Sequence, residues 1–176
     1  MPRPRLPDGF SIRRVAEADI PHLNDIEARA SRLLASFGFP QLGLEPWPMA
    51  DFAAFVRAGD CLVAAGKDDL PLGFAVAEPF AGMFWLNELS VDPEFGRRGI
   101  GRALVAAIGE LAGARGFASV GLSTFRDVPF NAPFYARCGY EIVPLERAEP
   151  AIRRRVENEV PDGASLLDRV FMHRKL

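Results

Sequence analysis

The apolar positions of the chain predict a mixture of strands and helices. Apolar residues recur at helical spacing over residues 20–37 and again over residues 99–115. Asp19 is expected to cap the first of these helices, and Gly116 is expected to end the second. Short apolar runs between turn-forming residues are typical of strands, and they cover residues 10–15, 61–66, 72–77, 83–91, 117–125, 140–145 and 169–174. Shorter helices are predicted over residues 51–58, 131–137 and 150–159.

The order of these elements is β-α-α-β-β-β-α-β-α-β-(α)-β, which predicts a mixed α/β domain with an antiparallel half and a βαβ crossover. A length of 176 residues fits a single domain, which we expect to span residues 1–176. The predicted fold class is therefore α/β (α+β), with a mixed, mostly antiparallel sheet of six or seven strands flanked by helices.

Composition and charge narrow the classes of function. The hydrophobic fraction is 49% and the charged fraction 25%, as in globular domains. A net charge of −2 argues against a nucleic-acid partner, which requires a basic surface. The run Arg153-Arg154-Arg155 is followed by Glu157 and Glu159, and this pattern predicts a solvated helical face.

The cysteines and the N-terminal segment bear on location. Cys61 and Cys138 lie in apolar segments without a CxxC or Cys/His cluster, so we expect reduced core thiols and no metal site. The opening MPRPRLPDGF lacks the apolar region of a signal peptide, and no apolar run has membrane-spanning length. We expect a soluble cytoplasmic protein with no membrane partner.

The most informative segment is LSVDPEFGRRGIGRAL, residues 89–104. A strand, a turn rich in Gly and Arg, and the start of a helix follow one another here. The first turn of a helix carries unpaired N–H groups and the positive end of the dipole, and glycines let a phosphate approach the backbone. Arg97, Arg98 and Arg102 add donors suited to phosphate oxygens. The segment predicts a phosphate or pyrophosphate site, and a Gly-rich turn with solvated arginines is the alternative.

Two well-known phosphate-binding patterns do not fit this segment. A Walker A loop requires GxxxxGK[ST], and no Lys-Ser/Thr pair follows here. A dinucleotide fingerprint requires GxGxxG, but counting from Gly99 and Gly101 the third position holds Leu104. The spacing is instead G-x-x-G-x-G, beginning at Gly96.

The stretch GRRGIGRAL resembles the acyl-CoA pyrophosphate loop of the GNAT N-acetyltransferases, whose general pattern is Q/R-x-x-G-x-G/A. The chain departs from this pattern at the first position, where Gly96 replaces Gln or Arg. One side-chain contact to the cofactor therefore differs, whereas the contacts made by the backbone are expected to remain.

A second block, VPFNAPFYARCGYEIV, is similar to the later motif of the same family. Asn131, Tyr135, Gly139 and Tyr140 match that motif. The resemblance extends from the first strand to the last and implies the acyl-CoA N-acyltransferase (GNAT) fold, with acetyl-CoA as cosubstrate and no metal. The implied cofactor-binding residues are Leu89, Ser90, Val91, Gly96, Arg97, Arg98, Gly99, Ile100, Gly101, Arg102, Asn131, Phe134 and Tyr135.

The resemblance also implies a direct reaction between an amine and a thioester. Tyr135 is expected to protonate the leaving thiolate as general acid, and Asn131 to hydrogen-bond the CoA arm. The peptide-like pantetheine arm should add to the backbone of residues 89–91, where one N–H could stabilise the negative charge that develops on the carbonyl oxygen. In isolation, Tyr135 would read as a core aromatic and Asn131 as a helix cap.

The general base is open at this point. The family often places a Glu on the strand before the Asn motif, where this chain has Ser123. Glu88 on the neighbouring strand is the candidate base, acting directly or through a water molecule. A hydrogen-bonded structural role for Glu88 is an equal alternative.

The acceptor and the oligomeric state are not determined by these patterns. The loop of residues 38–50 is rich in Gly and Pro but also apolar, so it is either a flap on the core or the wall of an apolar acceptor pocket. The main hypothesis is an acetyl-CoA-dependent N-acetyltransferase acting on a primary amine of a small molecule or protein. A non-catalytic acyl-CoA-binding sensor is the alternative, and a homodimer is one oligomeric state left open.

Overall fold

The computed structural model describes residues 9–176 as one seven-stranded sheet with helices on both faces. The strands are β1 (Ser11–Arg14), β2 (Asp60–Ala65), β3 (Pro71–Phe80), β4 (Met83–Val91), β5 (Ser119–Phe125), β6 (Glu141–Val143) and β7 (Arg169–Lys175). The helices are α1 (Ile20–Ser31), α2 (Met49–Ala58), α3 (Ile100–Ala114), α4 (Ala132–Arg137) and α5 (Pro150–Asn158). Residues 1–8, on which much of the argument about export depends, lie outside the described residues.

The order of strands in the sheet is β1-β2-β3-β4-β5-β7-β6. Neighbouring strands are antiparallel except β4 and β5, which are parallel because α3 crosses over between them. The predicted fold class, a mixed and mostly antiparallel sheet of six or seven strands, is therefore confirmed.

The parallel pair β4 and β5 separates soon after it forms. Its register contains only the pairs Phe84↔Val120 and Trp85↔Gly121. Beyond them, β4 stays paired to β3 and β5 stays paired to β7, so the sheet splits into two halves. Along β4 the register with β3 shifts, which leaves Asn87 as the extra residue of a β-bulge. The bulge and the split together open a cleft in the middle of the sheet.

The sheet has a hydrophobic core on each face. On one face, α3 and α4 contribute Leu104, Ile108 and Tyr135 to a cluster that also includes strand residues Phe84 and Leu122. On the opposite face, α1 and α2 pack on β2 and β3 in a second cluster. A third, smaller cluster joins α5 to β4 and β7. The first and third clusters contain residues from both halves of the split sheet, so the packing of the helices joins the two halves beside the cleft.

Asp19 occupies the N-cap position of α1, as predicted, but the expected side-chain cap is absent. Asp19 precedes α1, but its own backbone is helical and its side chain makes no capping hydrogen bond to the helix. Its carboxylate instead accepts from the N–H of Ala16 at 2.7 Å and pairs with the guanidinium of Arg13 at 2.6 Å. A strong charged partner on β1 therefore takes the carboxylate that a cap would use. Gly116 has a φ of 81° and follows α3, as predicted.

The arginine run on α5 is not a uniformly solvated face, and the prediction is wrong for one of its three members. Arg153 and Arg154 are exposed, but Arg155 is half-buried. The Arg155 guanidinium lies over the rings of Phe80 and Trp85, and it pairs with the carboxylates of Glu78 on β3 and of Glu159 at the end of its own helix. The two rings and Glu78 come from distant parts of the chain, so the local pattern could not indicate them.

Candidate active site

A cleft of about 930 Å³ opens where β4 and β5 diverge. Its walls are the second half of β4, the end of β5, the turn before α3, the start of α4 and the end of α1. The cleft is large enough for an extended ligand. Of the residues predicted to bind the cofactor, all except Arg98 line it. The fold therefore brings both sequence motifs to one surface.

The turn before α3 presents a row of backbone donors to the cleft. The first N–H of α3 that a helix carbonyl accepts is that of Ala103, which donates to Gly99 at 3.0 Å. Within residues 9–176, the N–H groups of residues 97–102 have no backbone acceptor. Arg97 and Gly99 have φ values of 61° and 84°, which bend the chain so that successive N–H groups converge. This is the geometry of an anion site at a helix N-terminus.

Gly101 lies where α3 packs closely against β4 and α4. A Cβ on Gly101 would lie 3.4 Å from the ring of Phe134 and 3.7 Å from a methyl of Val91. These are ordinary contact distances, so only a side chain larger than Ala would crowd the two neighbouring elements. The side chain of Arg102 lines the cleft, whereas the guanidinium of Arg98 lies over the Phe95 ring, 5.1 Å from its centroid.

The second half of β4 exposes alternate backbone groups along the split. The N–H of Asp92 donates to Leu72 on the β3 side at 2.9 Å. Successive N–H groups of a strand point to opposite edges, so those of Val91 and Leu89 face the gap toward β5. The N–H of Leu89 is bound by the carboxylate of Glu88 at 3.0 Å. The N–H of Val91 has no backbone acceptor in the described part of the chain.

Glu88 is a half-buried acid beside the bulge, on the wall of the cleft. Its Oε1 accepts from the hydroxyl of Ser90 at 2.9 Å as well as from Leu89. Burial, and next the charge of Glu27, raise the pKa of Glu88 from 4.5 to about 7. Glu88 forms no ion pair with the described residues, so nothing offsets this effect fully. A carboxyl group with a pKa near 7 can exchange a proton at neutral pH.

Tyr135 on α4 also lines the cleft and is almost completely buried. Its ring makes edge contacts with Phe134 and Tyr140, at centroid distances of 5.1 and 5.7 Å. Burial, and next the charge of Glu88, raise the pKa of Tyr135 well above its ordinary value. The phenol therefore stays protonated and can act as a proton donor. Among residues 9–176 its hydroxyl has no hydrogen-bond partner.

Asn131 stands at the N-cap position of α4 but does not cap the helix with its side chain. Its amide nitrogen donates to the hydroxyl of Thr124 on β5 at 2.8 Å. The amide oxygen is buried without a partner among the described residues. Buried polar atoms are nearly always hydrogen-bonded, so this orphan atom on the wall of the cleft is consistent with a ligand contact.

Sequence reasoning missed Arg169, which lies beside Ser123 on the cleft wall. The Nε and Nη2 groups of Arg169 both donate to Ser123 Oγ, at 3.2 and 2.9 Å. A hydroxyl that accepts from a guanidinium is a poor base, so Ser123 does not replace the acid that the family often has there. The residues are distant in sequence and meet only because β5 and β7 are paired, so no local signal could have indicated Arg169.

Apolar residues also line the cleft. They include Leu33 and Leu34, just after α1, and Phe125 and Phe130. In the loop predicted to be a flap or an acceptor pocket, Phe39 packs against Phe125 at a tilt of 35°, with ring centroids 4.2 Å apart. The loop thus packs next to the cleft and supports its apolar wall.

Residues 9–176 contain no group of three or more His, Cys, Asp or Glu side chains placed to hold a metal ion. No helix in that range is both long and apolar enough to cross a membrane. Cys61 is buried, Cys138 is half-buried, and both are free thiols.

Known proteins similar to this chain share its architecture. Residues 57–142 match the family model of the acetyltransferase (GNAT) domain. The chain is similar to a GCN5-related N-acetyltransferase structure from Rhodopseudomonas palustris, with 22% identity and a TM-score of 0.74, over 96% of this chain and 97% of that one. It is similar to the ribosomal-protein-S18-alanine N-acetyltransferase of Escherichia coli, with 19% identity and a TM-score of 0.68, over 94% and 93% of the two chains.

A third similar structure was solved with coenzyme A. It is the PaiA N-acetyltransferase of Thermoplasma acidophilum, with 16% identity and a TM-score of 0.63, over 96% of this chain and 99% of that one. At these identities the structures establish a common fold for the whole length of the sheet. The region that matches the family model contains the turn before α3, Glu88 and Tyr135.

Proposed function

We propose that this chain, which has the GNAT fold and a GNAT acetyltransferase domain match over residues 57–142, is an acetyl-CoA-dependent N-acetyltransferase. The acceptor is a primary amine of a small molecule or protein. One observation carries the proposal: the split between β4 and β5 joins the free N–H groups before α3 to a cleft that also contains Glu88 and Tyr135. An anion site and a proton-transfer pair therefore share one continuous surface.

In the proposed complex, the pyrophosphate of acetyl-CoA binds the N–H groups of residues 97–102. Arg97 and Arg102 are placed to contribute charge from the cleft wall. The pantetheine arm lies in the gap beside β4 and adds to it like a strand. The orphan amide oxygen of Asn131 is free to accept from one of its amide N–H groups.

The reaction proceeds by direct attack in a ternary complex. The amine nitrogen attacks the thioester carbonyl carbon, an N–C bond forms, and the C–S bond breaks. Glu88 accepts a proton from the amine, directly or through water, and Tyr135 donates a proton to the departing thiolate. The products are the acetylated amine and the free thiol of CoA.

A backbone donor on β4 is proposed to stabilise the carbonyl oxygen during this step. Val91 offers an N–H that faces the gap without a backbone acceptor. The N–H of Leu89 serves this purpose only when Glu88 releases it, because the carboxylate now accepts from it. Such oriented donors in a site shielded from water lower the barrier substantially.

Turnover of acetyl-CoA tests this function against the alternative of a non-catalytic sensor. The purified protein is incubated with acetyl-CoA and a panel of primary amines, and free thiol is measured over time. We expect amine-dependent release of thiol and a stoichiometric acetylated product by mass spectrometry. Tight CoA binding without product for any amine would instead favour the sensor.

A further inference from the structure

Arg169 is a cation on the cleft wall that the proposed mechanism does not use. It begins β7 and is paired with Phe125 of β5. Its side chain is only 12% exposed, yet it lines the cleft. A charge in such a position needs compensating partners, because little water can reach it.

Only some of the N–H donors of the Arg169 guanidinium have acceptors among the described residues. Ser123 Oγ, a neutral group, accepts from two of its nitrogens. Within residues 9–176, Glu159 has the only carboxylate at ion-pair distance, and its Oε2 lies 3.7 Å from Nη2, too far for a hydrogen bond. The other oxygen of Glu159 accepts from Arg155 at 2.8 Å. A guanidinium has five N–H donors, and those of Nη1 have no acceptor in the described part of the chain.

The guanidinium is also held in a fixed orientation. It lies over the ring of Phe125, 5.0 Å from its centroid, and two bonds to Ser123 restrain its plane. Phe39 packs against the same Phe125 ring at a tilt of 35°, with centroids 4.2 Å apart. A planar fork of donors that is already oriented suits a carboxylate, which can accept two parallel hydrogen bonds.

Arg169 lies within electrostatic range of the two residues proposed to transfer protons. Burial is the main cause of the raised pKa of Glu88 and of Tyr135, and the charge of Arg169 opposes the rise at both. Glu88, Tyr135 and Arg169 also line the same cleft, so a small molecule that reacts between Glu88 and Tyr135 binds in the cleft that Arg169 lines. A second ammonium group on that molecule would be repelled there.

We propose that the acceptor is amino-acid-like, an amine with a carboxylate a few bonds away, and that Arg169 binds this carboxylate. This inference rests on the proposed acetyltransfer function and names the chemical class of its acceptor. The carboxylate supplies the acceptor that Nη1 lacks and fixes the amine relative to the thioester. Binding of this kind explains why a buried arginine stands where the described residues provide only a hydroxyl and a distant carboxylate.

Matched pairs of acceptors provide the test. Glycine, L-leucine, L-phenylalanine and L-glutamate are each compared with the corresponding α-amide, in which a neutral group replaces the α-carboxylate. Amides have the more weakly basic amine, so at pH 7.5 more of it is unprotonated, which biases the comparison against the proposal. We expect at least one free amino acid to exceed its amide roughly tenfold or more in kcat/KM.

Variants at Arg169 then test whether this side chain causes the preference for a free amino acid over its amide. Arg169→Gln should lower kcat/KM for the preferred amino acid roughly 10- to 100-fold, mainly through the acceptor KM, and leave its amide unaffected. Arg169→Lys should restore part of the preference, because it keeps the charge but loses the planar fork. Arg126→Gln is the matched control, since Arg126 is exposed on the neighbouring strand end and donates to the carbonyl of Leu167.

Binding of the amino acids to the protein–CoA complex, measured by calorimetry, separates this proposal from the proposed function. Binding that depends on Arg169 without any turnover would support the arginine assignment and refute acetyltransfer. Equal turnover of acids and amides in wild type would overturn the arginine assignment and leave acetyltransfer standing. Equal losses for acids and amides in Arg169→Gln would reduce Arg169 to a structural role, and absence of both binding and turnover would refute both.

Discussion

At the scale of single residues, two groups with raised pKa values line the same cleft. The pKa values of Glu88 on β4 and Tyr135 on α4 are both raised mainly by burial. Neither side chain has an ion-pair partner among the described residues. A raised pKa has opposite consequences for the carboxyl and for the phenol. A carboxyl with a raised pKa becomes a base that works near neutral pH, whereas a phenol with a raised pKa stays a proton donor.

Replacement of Tyr135 by Phe removes only the hydroxyl, so it tests that group alone. The ring keeps its contacts with Phe134 and Tyr140, so folding and CoA affinity should be unchanged. A leaving thiolate has a pKa of about 8.5, so its expulsion depends only partly on protonation. We expect kcat to fall roughly tenfold to a few hundredfold, toward the low end of general acid effects. Full kcat in an assay limited by chemistry would leave Tyr135 as a packing residue.

Replacement of Glu88 by Gln tests the base. Gln retains an oxygen that can accept from Ser90 and Leu89, but it cannot take up a proton. The base acts when deprotonated, so wild-type kcat/KM should rise with pH through a value of about 7. Glu88→Gln should lower kcat and remove this acidic limb. An unaltered limb would exclude Glu88 and leave water, or the free-base fraction of the acceptor, as the explanation.

At the scale of elements, the start of α3 packs closely against β4 and α4. A Cβ on Gly101 would already touch Phe134 of α4 and Val91 of β4, so a side chain larger than Ala would crowd both elements. The ion pair between Arg29 of α1 and Asp92, at 2.6 Å, ties the end of β4 to the opposite layer. The proposed anion site is therefore built from the junction of several elements.

Gly101→Val should block CoA at this junction. The new methyl groups would project toward the Phe134 ring, from which even a Cβ is only 3.4 Å away, and into the space beside the free N–H groups. We expect CoA affinity to fall at least tenfold, measured by calorimetry. Gly113→Val is the control, because it adds the same side chain to the same helix where a Cβ meets only Leu176, at 4.0 Å. Unchanged CoA binding in a folded Gly101→Val protein would place the cofactor elsewhere.

At the scale of the whole molecule, two halves of a split sheet face each other across the cleft. β4 belongs to one half and β5 to the other, and they are joined near the pairs Phe84↔Val120 and Trp85↔Gly121. The layers of helices on the two faces bridge the halves. A cofactor in the cleft would contact both halves at once.

CoA should therefore stabilise the domain as a unit. A ligand at a concentration 100 times its Kd adds about 2.7 kcal/mol to the free energy of unfolding. For a domain of this size that corresponds to a rise in Tm of about 5–11 °C. Calorimetry should show one transition that moves as a whole, and Gly101→Val should abolish the shift. Two transitions, of which only one moves with CoA, would contradict a single cooperative domain.

The sequence by itself was sufficient to predict the fold class, the order of the elements and the turn rich in Gly and Arg before α3. Helical and strand periodicities are local, and they indicated the strands and the other helices to within a few residues. The first helix, predicted over residues 20–37, ends as an α-helix at Ser31 and continues as a 3-10 helix over Arg32–Phe37. The two motifs near Gly101 and Tyr135 are also local, since each is confined to one turn and the helix that follows. Such features need no knowledge of distant contacts.

Only the tertiary structure decided which side chains share the cleft and in what state. Asp19 and Arg155 have partners on distant elements, which local patterns could not foresee. Burial beside Glu27 of α1 sets the pKa of Glu88, and the pairing of β5 with β7 brings Arg169 to Ser123. Charge compensation, burial and the depth of the cleft depend on what the fold places around each group, and the amino-acid order does not display that directly.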